Sequence, residues 1–406
     1  MYKILVVDDS ALMRRIVCDI INSDSDFRVV DVSADGEDAY NKIKNNPYDL
    51  VVLDMVLPRL TAVELIEKLF AEKVPFNIVL MSSTLKEDAE STTRALELGA
   101  LDFVLKPIRS GNDTRDAFGA SLIKALHDAI KSSNYKIISK KDVSYSAKSI
   151  EDSKKTTQEK MEMVRNKLMA AKLGSGNAQT EPVKEEPKPV EKKVEKQQEQ
   201  PAAPKSSPAA KGTKGRKLVA LACSTGGPQA LHTFVPMLPK DLSVPVVIVQ
   251  HMPEGFTASL ATRLNQISSV NVKEAEDGEF FRPGFVYITP GGKHMEICED
   301  ASHAAYCHLD DGPPVNSLKP CADIMYKSLK NSGFDEIICV VLTGMGADGS
   351  AGIKFLNQFK KTYVISQEAS TCVVYGMPKA VEQEGLADEV VPLKSVANSI
   401  VKRLGG

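Results

Sequence analysis

A chain of 406 residues with 43% hydrophobic content is long enough for two or three domains with ordinary globular cores. Its formal net charge of −2, from 51 basic and 53 acidic residues, gives no global basic field, so nucleic acid is not expected as a partner. No apolar run approaches the ~20 residues that span a bilayer, residues 2–7 read as a strand rather than a signal peptide, and seven cysteines without a C-x-x-C pair suit a reducing compartment, so the expectation is a cytoplasmic protein with no membrane insertion.

From residue 1 to about 130, short apolar runs alternate with amphipathic stretches, the β-α rhythm of a parallel sheet covered on both faces. Strands are expected at 3–7, 27–32, 50–53, 78–81 and 103–105, and helices at 11–21, 85–98 and 122–130. The carboxyl ends of such strands form the working edge. Asp8 and Asp9 follow the first strand, Asp54 the third, Ser82 the fourth, and Lys106 with Pro107 the fifth. Three converging carboxylates repel one another unless a cation joins them, and Mg²⁺ with oxygen ligands is the expected cation. One carboxylate could then attack phosphorus while Lys106 and the Ser82 hydroxyl hold the transferred oxygens. Any one of these residues alone would read as an ordinary polar loop residue; five at matching strand ends read as a site.

The Val6-Val7-Asp8-Asp9-Ser10, Val52-Leu53-Asp54-Met55 and Leu105-Lys106-Pro107-Ile108 motifs resemble the receiver domain of two-component response regulators, over essentially all of residues 1–125. The resemblance implies a flavodoxin-like five-stranded parallel sheet. It makes Asp54 the phosphoacceptor, Asp8 and Asp9 the acidic Mg²⁺ pocket with the Val56 carbonyl as a further ligand, Ser82 and Phe103 the switch pair, and Lys106 the phosphate-sensing lysine. The Lys106-Pro107 bond is a candidate for the cis form. The chain departs from the family after Asp54: Val56-Leu57-Pro58 and Thr61-Ala62 stand where Glu-Met-Pro and Asp-Gly are usual, so the loop before the third helix is expected to differ.

Between about 131 and 215 the composition shifts to Lys, Glu, Gln, Pro and Ala with little to bury. A flexible low-complexity tether is expected there, with a single weak helical stripe at 155–173.

The β-α rhythm returns at 216. Residues 218–223 form an unbroken apolar run that stops at Ser224-Thr225-Gly226-Gly227-Pro228, a strand, a tight turn and a helix start. A hydroxyl at that point is a nucleophile, a helix cap or part of a phosphate cradle. Further strands at 244–249 and 337–342 end in Gln250-His251 and in Thr343-Gly344-Met345-Gly346-Ala347-Asp348-Gly349. A serine needs a base and a histidine needs an orienting carboxylate, so Ser224, His251 and Asp348 at one sheet edge select the nucleophile. Their order is not that of the α/β-hydrolases and no Gly-x-Ser-x-Gly is present. Cys223, inside the apolar run, reads as a buried inert thiol. His294, Cys298, His303, Cys307 and His308 match no usual zinc spacing and read as neighbours across a hairpin at 293–299 and 304–310.

Six motifs in order, Ser224-Thr225-Gly226-Gly227, Gln250-His251-Met252-Pro253, Tyr287-Ile288-Thr289-Pro290-Gly291-Gly292, Gly312-Pro313-Pro314-Val315-Asn316, Leu342 to Gly349, and Val373-Val374-Tyr375-Gly376-Met377-Pro378, make residues 217–395 similar to the catalytic domain of the CheB chemotaxis methylesterases. A doubly wound, mainly parallel α/β domain follows from that resemblance. So does a phosphorylation-controlled serine hydrolase that cleaves glutamate methyl esters, and deamidates glutamines, on methyl-accepting chemotaxis receptors. A chemotaxis histidine kinase is the implied phosphodonor. Ester hydrolysis itself then needs no cofactor, and Thr225 and the Met345 amide lie near the oxyanion. Pro320-Cys321-Ala322-Asp323 departs from the usual Pro-Ser-Val-Asp. The expected division is a receiver at 1–130, a linker at 131–215 and a methylesterase domain at 216–406. The rivals are a non-catalytic signalling adaptor and an esterase of the same mechanism acting on another protein.

Overall fold

The computed structural model describes residues 1–83, 86–107, 112–131 and 215–405. The expected tether and its helical stripe at 155–173 lie outside the described residues.

The first half forms a five-stranded sheet in the order β2-β1-β3-β4-β5, from β1 (Tyr2–Val7), β2 (Phe27–Ser33), β3 (Leu50–Asp54), β4 (Ile78–Ser82) and β5 (Asp102–Leu105). All four pairings are parallel. The central strands β3 and β4 are buried at every residue, as their continuous apolar runs require, whereas the edge strand β2 alternates. Helices α1 (Ala11–Ser23), α2 (Gly36–Asn45), α3 (Ala62–Ala71), α4 (Lys86–Glu97) and α5 (Asn112–Lys131) connect the strands. The unusual Thr61-Ala62 pair has a local explanation. Thr61 is the N-cap of α3 in a capping box with Glu64, its hydroxyl accepting from the Glu64 amide at 3.3 Å, so a helix start replaces the flexible turn that glycine would give. Lys106-Pro107 is not cis: the one cis peptide bond among the described residues is Lys319-Pro320.

The second half is a seven-stranded, all-parallel sheet in the order β14-β13-β12-β6-β7-β9-β8. Its strands are β6 (Lys217–Cys223), β7 (Val246–Gln250), β8 (Asn271–Glu274), β9 (Phe285–Ile288), β12 (Glu336–Val341), β13 (Lys361–Gln367) and β14 (Glu389–Val391). β10 (His294–Glu299) and β11 (Ala305–Asp310) form the antiparallel hairpin expected, with Cys307 opposite Ile297 and Cys298 opposite Tyr306. The helices are α6 (Gly227–Phe234), α7 (Phe256–Ile267), α8 (Ala322–Ser328), α9 (Ser350–Leu356), α10 (Met377–Gln383) and α11 (Val396–Leu404). Separate apolar clusters fill the two faces. Leu221, Phe234, Ile248 and Leu260 lie on one side and Tyr287, Met325, Tyr326 and Ile353 on the other, all buried. β7 and β12 are buried throughout and β6 at every residue after Lys217, and the three are adjacent, so the turns that follow them emerge side by side at the carboxyl edge.

Candidate active site

The turn after β6 is held by contacts that only glycine permits. Gly226 has φ +76°, and a Cβ on it would fall 2.4 Å from the Val373 Cβ; one on Gly344 would fall 2.9 Å from the Ser224 Cβ and 2.3 Å from the Met377 Sδ. The turns after β6 and β12 are therefore pressed together, and the Ser224 amide donates to the Thr343 carbonyl at 3.0 Å. Pro228 is the second residue of α6, whose N-cap is Gly226, so Ser224 itself is not the cap.

His251 and Asp348 meet: Nε2 lies 2.7 Å from Oδ2, with both side chains almost wholly buried. The Asp348 carboxylate also accepts from the Ala322 amide at 2.6 Å, the Asp323 amide at 2.9 Å and the Cys321 thiol at 3.2 Å. Burial works to raise its pKa, but the His251 bond and charge and the two amides outweigh that and hold it below the ordinary carboxylate value. Ionised, it can only accept, so Nε2 carries the ring proton and Nδ1 is left as a lone pair able to take one. Ser224, Thr225, His251 and Met345 line a single cavity of about 370 Å³. Cys321 holds Asp348 in place of a hydroxyl, and burial pushes its thiol up to about 12. Cys223 is fully buried and its thiol pKa is raised by that burial, which leaves it without nucleophilic character.

The other strand-end cluster stands in the first half. Lys106 Nζ lies 2.8 Å from Asp8 and 2.6 Å from Asp54, and Asp8, Asp9 and Asp54 each offer a carboxylate oxygen within 4.8 Å of one another. Burial and then the neighbouring Asp8 charge push Asp54 up to about 6 even though Lys106 pulls it down. Three close oxygens with one ammonium among them are a donor set short of positive charge, which fits a hard divalent cation. Val56 is well exposed, its amide 3.4 Å from Asp54. The Ser82 hydroxyl is not turned into this cluster: it bonds with Thr92 at 2.9 Å and with the Ser83 carbonyl at 3.2 Å.

Phe103 stacks on Phe256 of α7 with ring centres 4.7 Å apart, and the two halves meet along this line. Thr225 Oγ1 donates to Asp102 at 2.7 Å, and Arg263 grips Glu97 through Nη2 at 2.9 Å and Nε at 3.1 Å. Asp102, Lys124 and Asp128 of the first half line the same cavity as Ser224. Sequence reasoning did not find Asp102, since a carboxylate at the start of a strand carries no signal for a contact more than a hundred residues away. The Ala322 and Asp323 amides were equally hidden, because backbone donors leave no residue-type signature.

Residues 219–400 match the family model for CheB methylesterase and residues 4–114 that for the response regulator receiver domain. The chain is 35% identical, over 99% of both chains, to protein-glutamate methylesterase/protein-glutamine glutaminase 1 of Syntrophomonas wolfei. It is 35% identical over 98% of both chains to the protein-glutamate methylesterase/protein-glutamine glutaminase of Bacillus subtilis. The crystal structure of the Thermotoga maritima CheB methylesterase catalytic domain is 41% identical, covering 47% of this chain and 99% of that one, at a TM-score of 0.45. This chain belongs to the protein-glutamate methylesterase/protein-glutamine glutaminase family, with a CheB methylesterase domain following a response regulator receiver domain.

Proposed function

We propose that the protein is a cytoplasmic, phosphorylation-controlled serine hydrolase that demethylates glutamate methyl esters, and deamidates glutamines, on methyl-accepting chemotaxis receptors. The working parts are a receiver at 1–130, a linker at 131–215 and a methylesterase domain at 216–406. The observation that carries the catalytic reading is the 2.7 Å His251–Asp348 contact at the wall of the cavity that holds Ser224. Nδ1 of His251 takes the Ser224 proton as Oγ attacks the ester carbonyl, and the oxyanion forms beside Thr225 and the Met345 amide. The tetrahedral adduct collapses, His251 returns the proton to the departing methoxide, and methanol leaves; with a glutamine the leaving group is ammonia. Water activated by the same nitrogen then cleaves the acyl-enzyme to the glutamate carboxylate, while the Asp348 charge stabilises the imidazolium in both halves.

Control rests on Asp54 as acceptor of a phosphoryl group from a chemotaxis histidine kinase. Asp8, Asp9, Asp54 and the Val56 carbonyl would hold Mg²⁺, which neutralises phosphoryl oxygens when bound. Lys106 binds the transferred group, Phe103 and Ser82 respond to it, and the added charge loosens the contacts that close the receiver over Ser224.

The test is methanol release from methylated receptor, with and without acetyl phosphate and Mg²⁺. Ser224→Ala is expected to lower the rate by roughly 10⁴-fold or more. An unchanged rate would refute the assignment. Labelling of Ser224 by a serine-directed acylating reagent without methanol from receptors would point to another protein substrate, and no labelling at all to an adaptor.

A further inference from the structure

The ladder between β6 and β7 ends at the pair Cys223 and Gln250, one residue short of both Ser224 and His251. The His251 amide extends the ladder by one bond, to the Cys223 carbonyl at 3.2 Å, while the Ser224 amide turns away to the Thr343 carbonyl at 3.0 Å, so the separation of nucleophile and base needs a further tie on the Ser224 side. The side chain of Gln250 spans this gap. It is 1% exposed, and its Nε2 donates to the Ser224 carbonyl at 3.0 Å and to the His251 carbonyl at 3.2 Å. Its Oε1 accepts from the Cys223 thiol at 3.0 Å, so both ends of the amide are committed and its orientation is fixed. The surroundings are shaped to admit it: a Cβ on Gly227 would stand 1.9 Å from Oε1, far closer than a non-bonded carbon can approach.

We infer that Gln250 is a positioning residue for ester cleavage, an amide strut that locks the Ser224 turn to the His251 turn. Resting on the reading of Ser224 and His251 as nucleophile and base, it adds the means by which their spacing is set. Gln250 borders the cavity but is 1% exposed, and its amide is spent on two backbone carbonyls and a thiol, so its loss disturbs the approach of Oγ to Nδ1 more than it disturbs substrate affinity. A misplacement of about 1 Å between reacting groups costs on the order of 10²-fold in rate.

The experiment measures methanol release by the full-length protein in acetyl phosphate and Mg²⁺, as kcat and KM separately. Gln250→Met fills nearly the same volume and can tie neither carbonyl; kcat is expected to fall about 10²-fold with KM unchanged. Gln250→Glu separates tying from filling. Its protonated acid has one O–H to donate, while its carboxylate has none and repels both carbonyls. The ratio of its kcat to wild type, taken at each pH, should therefore rise as pH falls, which also decides the matter if Gln250→Met does not fold. Gln250→Met within two-fold of wild-type kcat, a loss of rate carried by KM, or a pH-independent ratio for Gln250→Glu would each overturn the inference. Ser224→Ala run in parallel tells the two failures apart: an active Ser224→Ala removes the catalytic reading, whereas an inactive one beside a fully active Gln250→Met removes only the strut.

Discussion

Asp54, the last residue of β3, and Asp348, in the turn that follows β12, are both buried at the carboxyl edge of a parallel sheet, yet their carboxyls are driven in opposite directions. Asp54 shares its space with Asp8 and is pushed up to about 6; Asp348 is ringed by two amides, a thiol and an imidazole and is held below the ordinary value. Burial raises both. What differs is the number of donors aimed at the charge, which suits Asp54 to its proposed part as an acceptor beside a cation and Asp348 to its proposed part as a fixed anion behind a base.

The largest effect is expected from Asp348→Asn. The amide keeps the shape but can donate to Nε2, favouring the tautomer with its proton on Nδ1, and kcat for methanol release should fall by about 10⁴-fold with the protein folded. At the other site Asp54→Asn should leave the unstimulated rate within about two-fold and remove the response to acetyl phosphate and Mg²⁺, a coupling ordinarily worth about 5- to 150-fold. Equal stimulation of wild type and Asp54→Asn would place the control elsewhere.

A third buried group, His232 of α6, has neither the donors of Asp348 nor the ion pair of Asp54. Its ring nitrogens have no hydrogen-bond partner among the described residues, and Glu97 stands 3.8 Å away with Arg94 and Arg263 around it. Burial drives its pKa down to about 4, against the pull of Glu97. A histidine held neutral in the fold takes up its proton on unfolding, so stability is full above about 6.5 and falls as pH drops toward 4, by about 2 kcal/mol at pH 5. Urea melts at pH 7.5 and pH 5 should show that loss in wild type and its absence in His232→Leu. The smallest effect is expected at the receiver contact: Arg263→Ala removes the two bonds to Glu97 and should raise unphosphorylated methanol release about five-fold, the equivalent of roughly 1 kcal/mol of docking. A phosphorylated rate that rises equally would show that Arg263 does not act through docking.

The inner strands of both sheets were readable because they are unbroken apolar runs, while β8 and β14, short and only partly buried, were not; the site residues were readable because parallel sheets collect their chemistry at the carboxyl edge. Ser224, His251 and Asp348 could be brought together on that rule alone. α2 was harder to see, as its buried positions are only Gly36, Ala39, Tyr40 and Ile43 amid charged residues. The Ser82 hydroxyl could be placed at the strand end but not turned: its bond to Thr92 is a rotamer choice that strand position does not carry. The contacts that join the halves were illegible for a plainer reason. Glu97, Asp102 and Arg263 are ordinary surface types until another surface covers them, and Phe256 reads as plain core.

β5 is four residues long, begins with Asp102 and leads directly to Lys106. The residue that grips Thr225 and the lysine beside Asp54 are thus the two ends of one extended segment about 13 Å long, too short and too straight to absorb displacement by bending. Such a rod transmits in both directions. If Asp54 carries the phosphoryl group as proposed, whatever factor it contributes to releasing Thr225 must be returned to it, at equilibrium, when the cleft is occupied. On the proposed reading, a receptor segment in the cleft would bias Asp54 at equilibrium toward its phosphorylated form.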